Sequence, residues 1–175
     1  MNMKNVIILG GNSPNNINWI KSMEKTYKTD YNVSTLSFDN WQDNTMINFN
    51  RESKKLVSLC EEKENYIIIA KSAGAILVAQ AIKSKRIKPK LLIVMGFPLQ
   101  FSLDNNINIK SLFNDISKVC KILVIQQKYD PQGNAKKISE LLDKNILIKI
   151  INGNNHVYAN FNLIKEQVDS FIDMN

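Results

Sequence analysis

Ile67-Ile-Ile-Ala-Lys-Ser72-Ala-Gly74-Ala-Ile-Leu-Val78 reads as a buried strand, a tight turn and a helix. The apolar run before Lys71 has no polar alternation, as expected of a strand covered on both faces of a parallel sheet. Working outward, the same unit recurs along the chain. Lys4–Leu9, Tyr31–Leu36, Tyr66–Ala70, Leu91–Met95, Lys121–Gln126 and Asn145–Ile151 are short runs rich in Val, Ile and Leu. Between and after them lie amphipathic stretches at Asn16–Tyr27, Arg51–Glu64, Ala73–Lys83, Ile109–Lys118, Gly133–Asp143 and Phe161–Asp173. In the second of these, Leu56, Val57, Leu59 and Cys60 form one apolar face opposite a charged one. Strict alternation of strand and helix predicts an α/β protein, a three-layer α/β/α sandwich around a six-stranded, mainly parallel sheet. With 175 residues, 44% of them hydrophobic, one domain spanning 1–175 is expected.

Such a sheet gathers its functional groups in the loops at the carboxyl ends of its strands. Those loops hold Gly10-Gly-Asn-Ser-Pro14, Lys71-Ser-Ala-Gly74, Gly96-Phe-Pro98, Lys128-Tyr-Asp130-Pro and Gly153-Asn-Asn-His156. A serine, an acid and the only histidine of the chain therefore fall at one edge. Ser72 has the setting of a nucleophile elbow, in which a strained turn lifts the hydroxyl above the sheet and small residues are needed two before and two after. Ala70 and Gly74 meet that need, although Ala70 departs from the usual Gly-x-Ser-x-Gly. Ser72 also has a plainer reading as a helix N-cap.

His156 supplies a base able to work near neutral pH, and it stands last in the chain order Ser, acid, His. Asp130 is the acid candidate, placed to accept the Nδ1 proton and hold Nε2 toward Ser72. An Asp-Pro pair is also a common turn, and Asp104 is the one alternative acid. A developing oxyanion needs backbone donors, and the candidates are the N–H groups of Ala73, directly after the serine, and of Asn12 in the Gly10-Gly-Asn-Ser loop. The Gly10-Gly-Asn-Ser-Pro-Asn-Asn loop lacks both the Gly-x-Gly-x-x-Gly spacing and the Gly-Lys-Ser/Thr ending of phosphate-binding loops.

The net charge of +7, from 23 Lys and Arg against 16 Asp and Glu, invites an anionic partner. Yet the basic residues are scattered, and their one cluster, Lys83-Ser-Lys-Arg86-Ile-Lys88-Pro-Lys90, contains no aromatic to stack on a base, so no nucleic acid is expected. No apolar run approaches the roughly 20 residues of a membrane span, and Val6–Leu9 is too short for a signal peptide. No membrane partner and a cytoplasmic location are therefore expected. Cys60 and Cys120, far apart and without Cys-x-x-Cys spacing, fit inert thiols in a reducing compartment.

Together, the Gly10-Gly-Asn-Ser loop, Ala70-Lys-Ser-Ala-Gly74, Asp130 and His156 resemble the α/β-hydrolase superfamily over nearly the whole chain. The Lys before the serine, the short length and the single-His ending look like its small dienelactone-hydrolase-like or retinoblastoma-binding-protein-9-like members. The resemblance implies a sheet ordered 2-1-3-4-5-6, a Ser72-Asp130-His156 triad and action on a small-molecule ester, thioester or related acyl group, with no metal or organic cofactor. Most lids in the family follow the fourth strand counted here. This chain has only about a dozen residues there, Gly96 to Asn108, and Pro98 limits helix formation at their start. An open site without a lid is expected. Phe97, Leu99 and Phe101 are pocket candidates, although their alternate spacing equally fits a strand-like wall or core filling. Two rivals to a hydrolase remain at this level: a non-catalytic binding protein on the same fold, and an acyltransferase.

Overall fold

Six apolar runs pair edge to edge in the computed structural model, which describes residues 3–175. They are β1 (Asn5–Leu9), β2 (Asn32–Leu36), β3 (Ile67–Lys71), β4 (Leu91–Met95), β5 (Lys121–Gln127) and β6 (Leu147–Ile151). All five pairings are parallel, and the order is β2-β1-β3-β4-β5-β6. Every residue of β3 and β4 is buried, while β2 and β6 at the edges are partly exposed. Central strands with no polar face demand cover on both sides.

That cover comes from α1 (Asn16–Tyr27), α2 (Phe49–Glu61), α3 (Ala73–Lys83), α4 (Leu99–Asp104), α5 (Ile109–Ser117), α6 (Ala135–Leu141) and α7 (Phe161–Asp173). On α1, Trp19, Ile20, Met23 and Tyr27 fall on one stripe and are buried. α3 is apolar almost all round because it lies on the sheet between α2 and α5. The chain steps from β1 outward to β2, then back past β1 to β3. Right-handed crossovers consequently put α1, which packs on α7, on the face opposite α2, α3 and α5. The reversal of direction at β1 opens a crevice between the loops that follow β1 and β3.

Most strands and helices begin and end within a few residues of the sequence expectation, and the differences have local causes. α2 starts at Phe49 rather than Arg51 because the Asn48 side chain accepts from Arg51 N–H at 3.1 Å and so caps the helix earlier. α6 is shorter than Gly133–Asp143: Asn134 caps it at Lys136 N–H, and Leu142 is already extended. Two elements have no counterpart in the sequence pattern. One is a 3₁₀ turn at Asp39–Trp41; the other is α4, in the segment after β4 where Pro98 is expected to oppose a helix. Pro98 instead stands just before the first helical residue, where its missing N–H costs nothing. Its carbonyl receives Ser102 N–H at 3.1 Å and Ser102 Oγ at 2.9 Å.

Among the described residues no helix is long and apolar enough to cross a membrane.

Candidate active site

Ser72 links β3 to α3 with φ 54° and ψ −124°, a conformation that non-glycine residues avoid at a cost of about 1–3 kcal/mol. Its neighbours impose that geometry. Ser72 N–H continues the ladder to β4 by donating to Met95 O at 3.0 Å, and its carbonyl at once accepts Ala75 N–H at 2.9 Å as α3 begins. The side chain makes no capping bond, so the N-cap reading does not hold. Gly74 permits the turn: a Cβ there would lie 2.4 Å from Gly10 O. The same loop after β1 also passes close to Ser72 itself, where a Cβ on Gly11 would be 2.9 Å from Ser72 Cβ.

Asp130 follows β5 and is only 3% exposed. Its Oδ1 accepts from Gln132 N–H at 2.8 Å, and its Oδ2 accepts from Tyr158 OH at 2.7 Å and Gln126 Nε2 at 3.3 Å. His156 Nδ1 lies 2.9 Å from both oxygens. A carboxylate so surrounded by donors is an acceptor, so the ring donates through Nδ1, and in the neutral imidazole this leaves the lone pair on Nε2. That Nε2 is buried and has no partner among the described residues. Asp104, the alternative acid, sits exposed on α4 and accepts from Gln100 Nε2 at 2.8 Å.

Ser72 and His156 face one cleft of about 430 Å³, with Asn12, Lys71, Ala73 and Gln132 also in its lining. Among the described residues no hydrogen bond joins Ser72 to His156. A larger depression, of about 1020 Å³, lies around Lys4, Glu24, Tyr31 and Glu64 and contains none of these groups.

The apolar wall differs from expectation. Phe97 is fully buried, its ring edge-on to Phe113 at 5.1 Å, and Leu99 is buried as well; neither lines the cleft. Of the three only Phe101 does, with Pro98, Met46 and Ile47 also in the lining. Positions 97, 99 and 101 share a face only in a strand; in α4, Leu99 and Ser102 turn inward and Phe101 is left toward the cleft. Phe101 also stacks on Phe49 at 6.1 Å, so α4 and the start of α2 meet beside the cleft.

Several supporting residues gave no sequence signal. Tyr158 OH accepts from Gln127 N–H at 2.9 Å while donating to Asp130, and burial raises its pKa far above the ordinary phenol range. Gln126 ties Asp130 to Phe97 N–H and Gly133 O. Trp41 Nε1 donates to Gly11 O at 3.0 Å, and Asn40 Nδ2 to Asn12 O at 2.9 Å, pinning the loop after β1.

No protein-family model and no curated protein sequence matches the chain. Solved structures do match. An uncharacterized protein from Bacillus cereus ATCC 10987 superposes with a TM-score of 0.78 at 22% identity over 100% of this chain; this chain spans 61% of that protein's length. The esterase domain of a Rhodothermus marinus protein matches with a TM-score of 0.68 at 12% identity, over 98% of this chain and 87% of that one. Mouse alpha/beta hydrolase domain-containing protein 10 matches with a TM-score of 0.68 at 12% identity, over 99% and 92%. With the strand order 2-1-3-4-5-6 and the strand, turn and helix around Ser72, the chain has the α/β-hydrolase fold.

Proposed function

We propose that the chain is a serine hydrolase that cleaves an ester, thioester or related acyl bond of a small molecule through an acyl-enzyme. The observation that carries this is His156, held by Nδ1 on a buried carboxylate with an unpartnered Nε2 in the cleft that the strained Ser72 also lines. In the proposed reaction Ser72 Oγ attacks the acyl carbonyl as His156 Nε2 takes its proton. Asp130 stabilises the imidazolium, and the proton is returned to the leaving group. Water then repeats the sequence to release the acid.

Two backbone donors suit the oxyanion. Ala73 N–H is the first of α3 and has no partner within the helix. Asn12 N–H belongs to the same planar trans peptide as Gly11 C=O, and the two point in opposite directions. Trp41 draws that carbonyl to itself, so the N–H is turned away from Trp41; Asn12 borders the cleft beside Ser72. The buried, unpaired thiols of Cys60 and Cys120 fit the proposed cytoplasmic location.

A fluorophosphonate probe is expected to label the folded protein at Ser72, located by peptide mass mapping. Absence of labelling in protein that melts cooperatively would leave the non-catalytic reading in its place. Release of free acid without any added alcohol or amine separates hydrolysis from acyl transfer.

The cleft of about 430 Å³ is edged by the six-residue α4, with no long helix beside it to close over a lipid-sized chain. Turnover of p-nitrophenyl esters is expected to peak at short chains and to change little with micelles. A sharp rise with chain length in micelles would mean that the Met46–Ile47 side or α4 moves away to admit lipid.

A further inference from the structure

Lys71 is the buried cation that the proposed chemistry leaves unused. It ends β3 directly before Ser72, is 6% exposed and lines the same cleft. Its ammonium has three donors. One reaches Asn16 Oδ1 at 3.0 Å, and Nζ lies 5.3 Å from the centre of the Trp19 ring. It forms no ion pair among the described residues, and the nearby carboxylate, Asp130, is taken by His156. Apart from Lys71 and His156 no side chain lining the cleft is ionisable; Asn12, Asn15 and Gln132 add neutral amides.

A buried ammonium without a counter-ion is costly, and proteins pair such charges or neutralise them. Burial does push Lys71 down, to about 8, with Asp130 offsetting only part of the effect. At neutral pH the charge is therefore still present, next to the proposed nucleophile and open to whatever enters the cleft. A bound anion would complete the pair. One cation balances one negative charge, which favours a carboxylate over a dianionic phosphate, whose second charge would be buried unmatched.

We propose that the cleft selects esters bearing a carboxylate, which pairs with Lys71 Nζ beside Ser72. As a statement about substrates this rests on the hydrolase function proposed above; as a statement about binding it does not. The position of Lys71 at the strand end leaves open whether the carboxylate sits on the acyl or the leaving side, and two substrate pairs distinguish these. For the acyl side, mono-p-nitrophenyl glutarate is compared with p-nitrophenyl pentanoate, each corrected for spontaneous hydrolysis. For the leaving side, 4-acetoxybenzoate is compared with its methyl ester.

At pH 7 the anionic member of at least one pair is expected to have a kcat/KM roughly tenfold or more higher, the scale of a charged hydrogen bond in a protected site. Lys71→Met should bring that ratio to about one or below. The ratio should also fall as pH rises through about 8, where Lys71 loses its proton; the requirement for neutral His156 is common to both members and cancels. Monomethyl glutarate, which like the substrate carries a single charge, and 4-hydroxybenzoate titrated into Ser72→Ala by calorimetry provide a readout without turnover: one should bind, and adding Lys71→Met should weaken it at least tenfold. Ratios near one in both pairs, with probe labelling at Ser72 intact, overturn the carboxylate selectivity and leave the hydrolase standing. No labelling, with carboxylate binding that depends on Lys71, overturns the hydrolase and leaves the anion site. Binding unaffected by Lys71→Met overturns the role given to Lys71.

Discussion

Ser72→Ala is expected to lower turnover of any accepted ester by roughly 10⁶-fold, the scale on which a serine nucleophile contributes in other hydrolases, while stability barely moves. The two effects separate because of how Ser72 is held. Its backbone, which carries the strain and the bonds to Met95 and Ala75, is retained in alanine, and its hydroxyl makes no capping bond that could be lost. A surface-scale change within about 0.5 kcal/mol is therefore expected in urea titration. Ser13 also lines the cleft, but its Oγ only accepts from Asn15 N–H at 3.3 Å, and it serves as the control. Substantial activity in Ser72→Ala combined with its loss in Ser13→Ala would move the nucleophile to the loop after β1.

The second large effect is expected on replacing Asp130 by asparagine. An asparagine presents one acceptor oxygen and an NH₂ group to three side-chain donors and the Gln132 N–H, so His156 can no longer be held reliably with Nδ1 protonated. With Nε2 protonated instead, the ring cannot accept from Ser72, and kcat should fall by about 10⁴-fold, the scale of the same Asp-to-Asn change in a serine protease triad. Unlike Ser72→Ala, this change also costs stability, of order 1–3 kcal/mol, because either Tyr158 OH or the introduced amide group is left unmatched in a buried site. Asp104→Asn, which alters only an exposed bond to Gln100, should match wild type in both assays. Steady-state kinetics and thermal melts of the two variants check this. An active Asp130→Asn would show that His156 keeps its orientation without the carboxylate.

The architecture was legible because its determinants are local. Unbroken Val/Ile/Leu runs, amphipathic spacing and small residues around Ser72 each act within one or two turns of chain, and their alternation constrains a parallel sheet to few topologies. The chain order of Ser72, Asp130 and His156 then put all three at one edge of the sheet, because every strand of a parallel sheet delivers its following loop to the same side. Contacts between loops were not legible in this way. That Asp130 rather than Asp104 meets His156 depends on where β5 and β6 lie in the sheet and on how far each loop reaches. The brace from Tyr158 and Gln126, and the hold of Trp41 and Asn40 on the loop after β1, join residues that no periodicity relates.

At Phe97, Leu99 and Phe101 the difficulty was rotational. A strand turns its side chains by half a revolution per residue and a helix by about 100°, so Leu99 and Phe101 of α4 face different ways, while Phe97, ahead of the helix, fills the core as its spacing also allowed. Lys71 shows the same division from the other side. Sequence alone placed a lysine before the serine, but its charge matters only because Asn16, Trp19 and the surrounding sheet bury it without an acid, and burial is a property of the assembled fold.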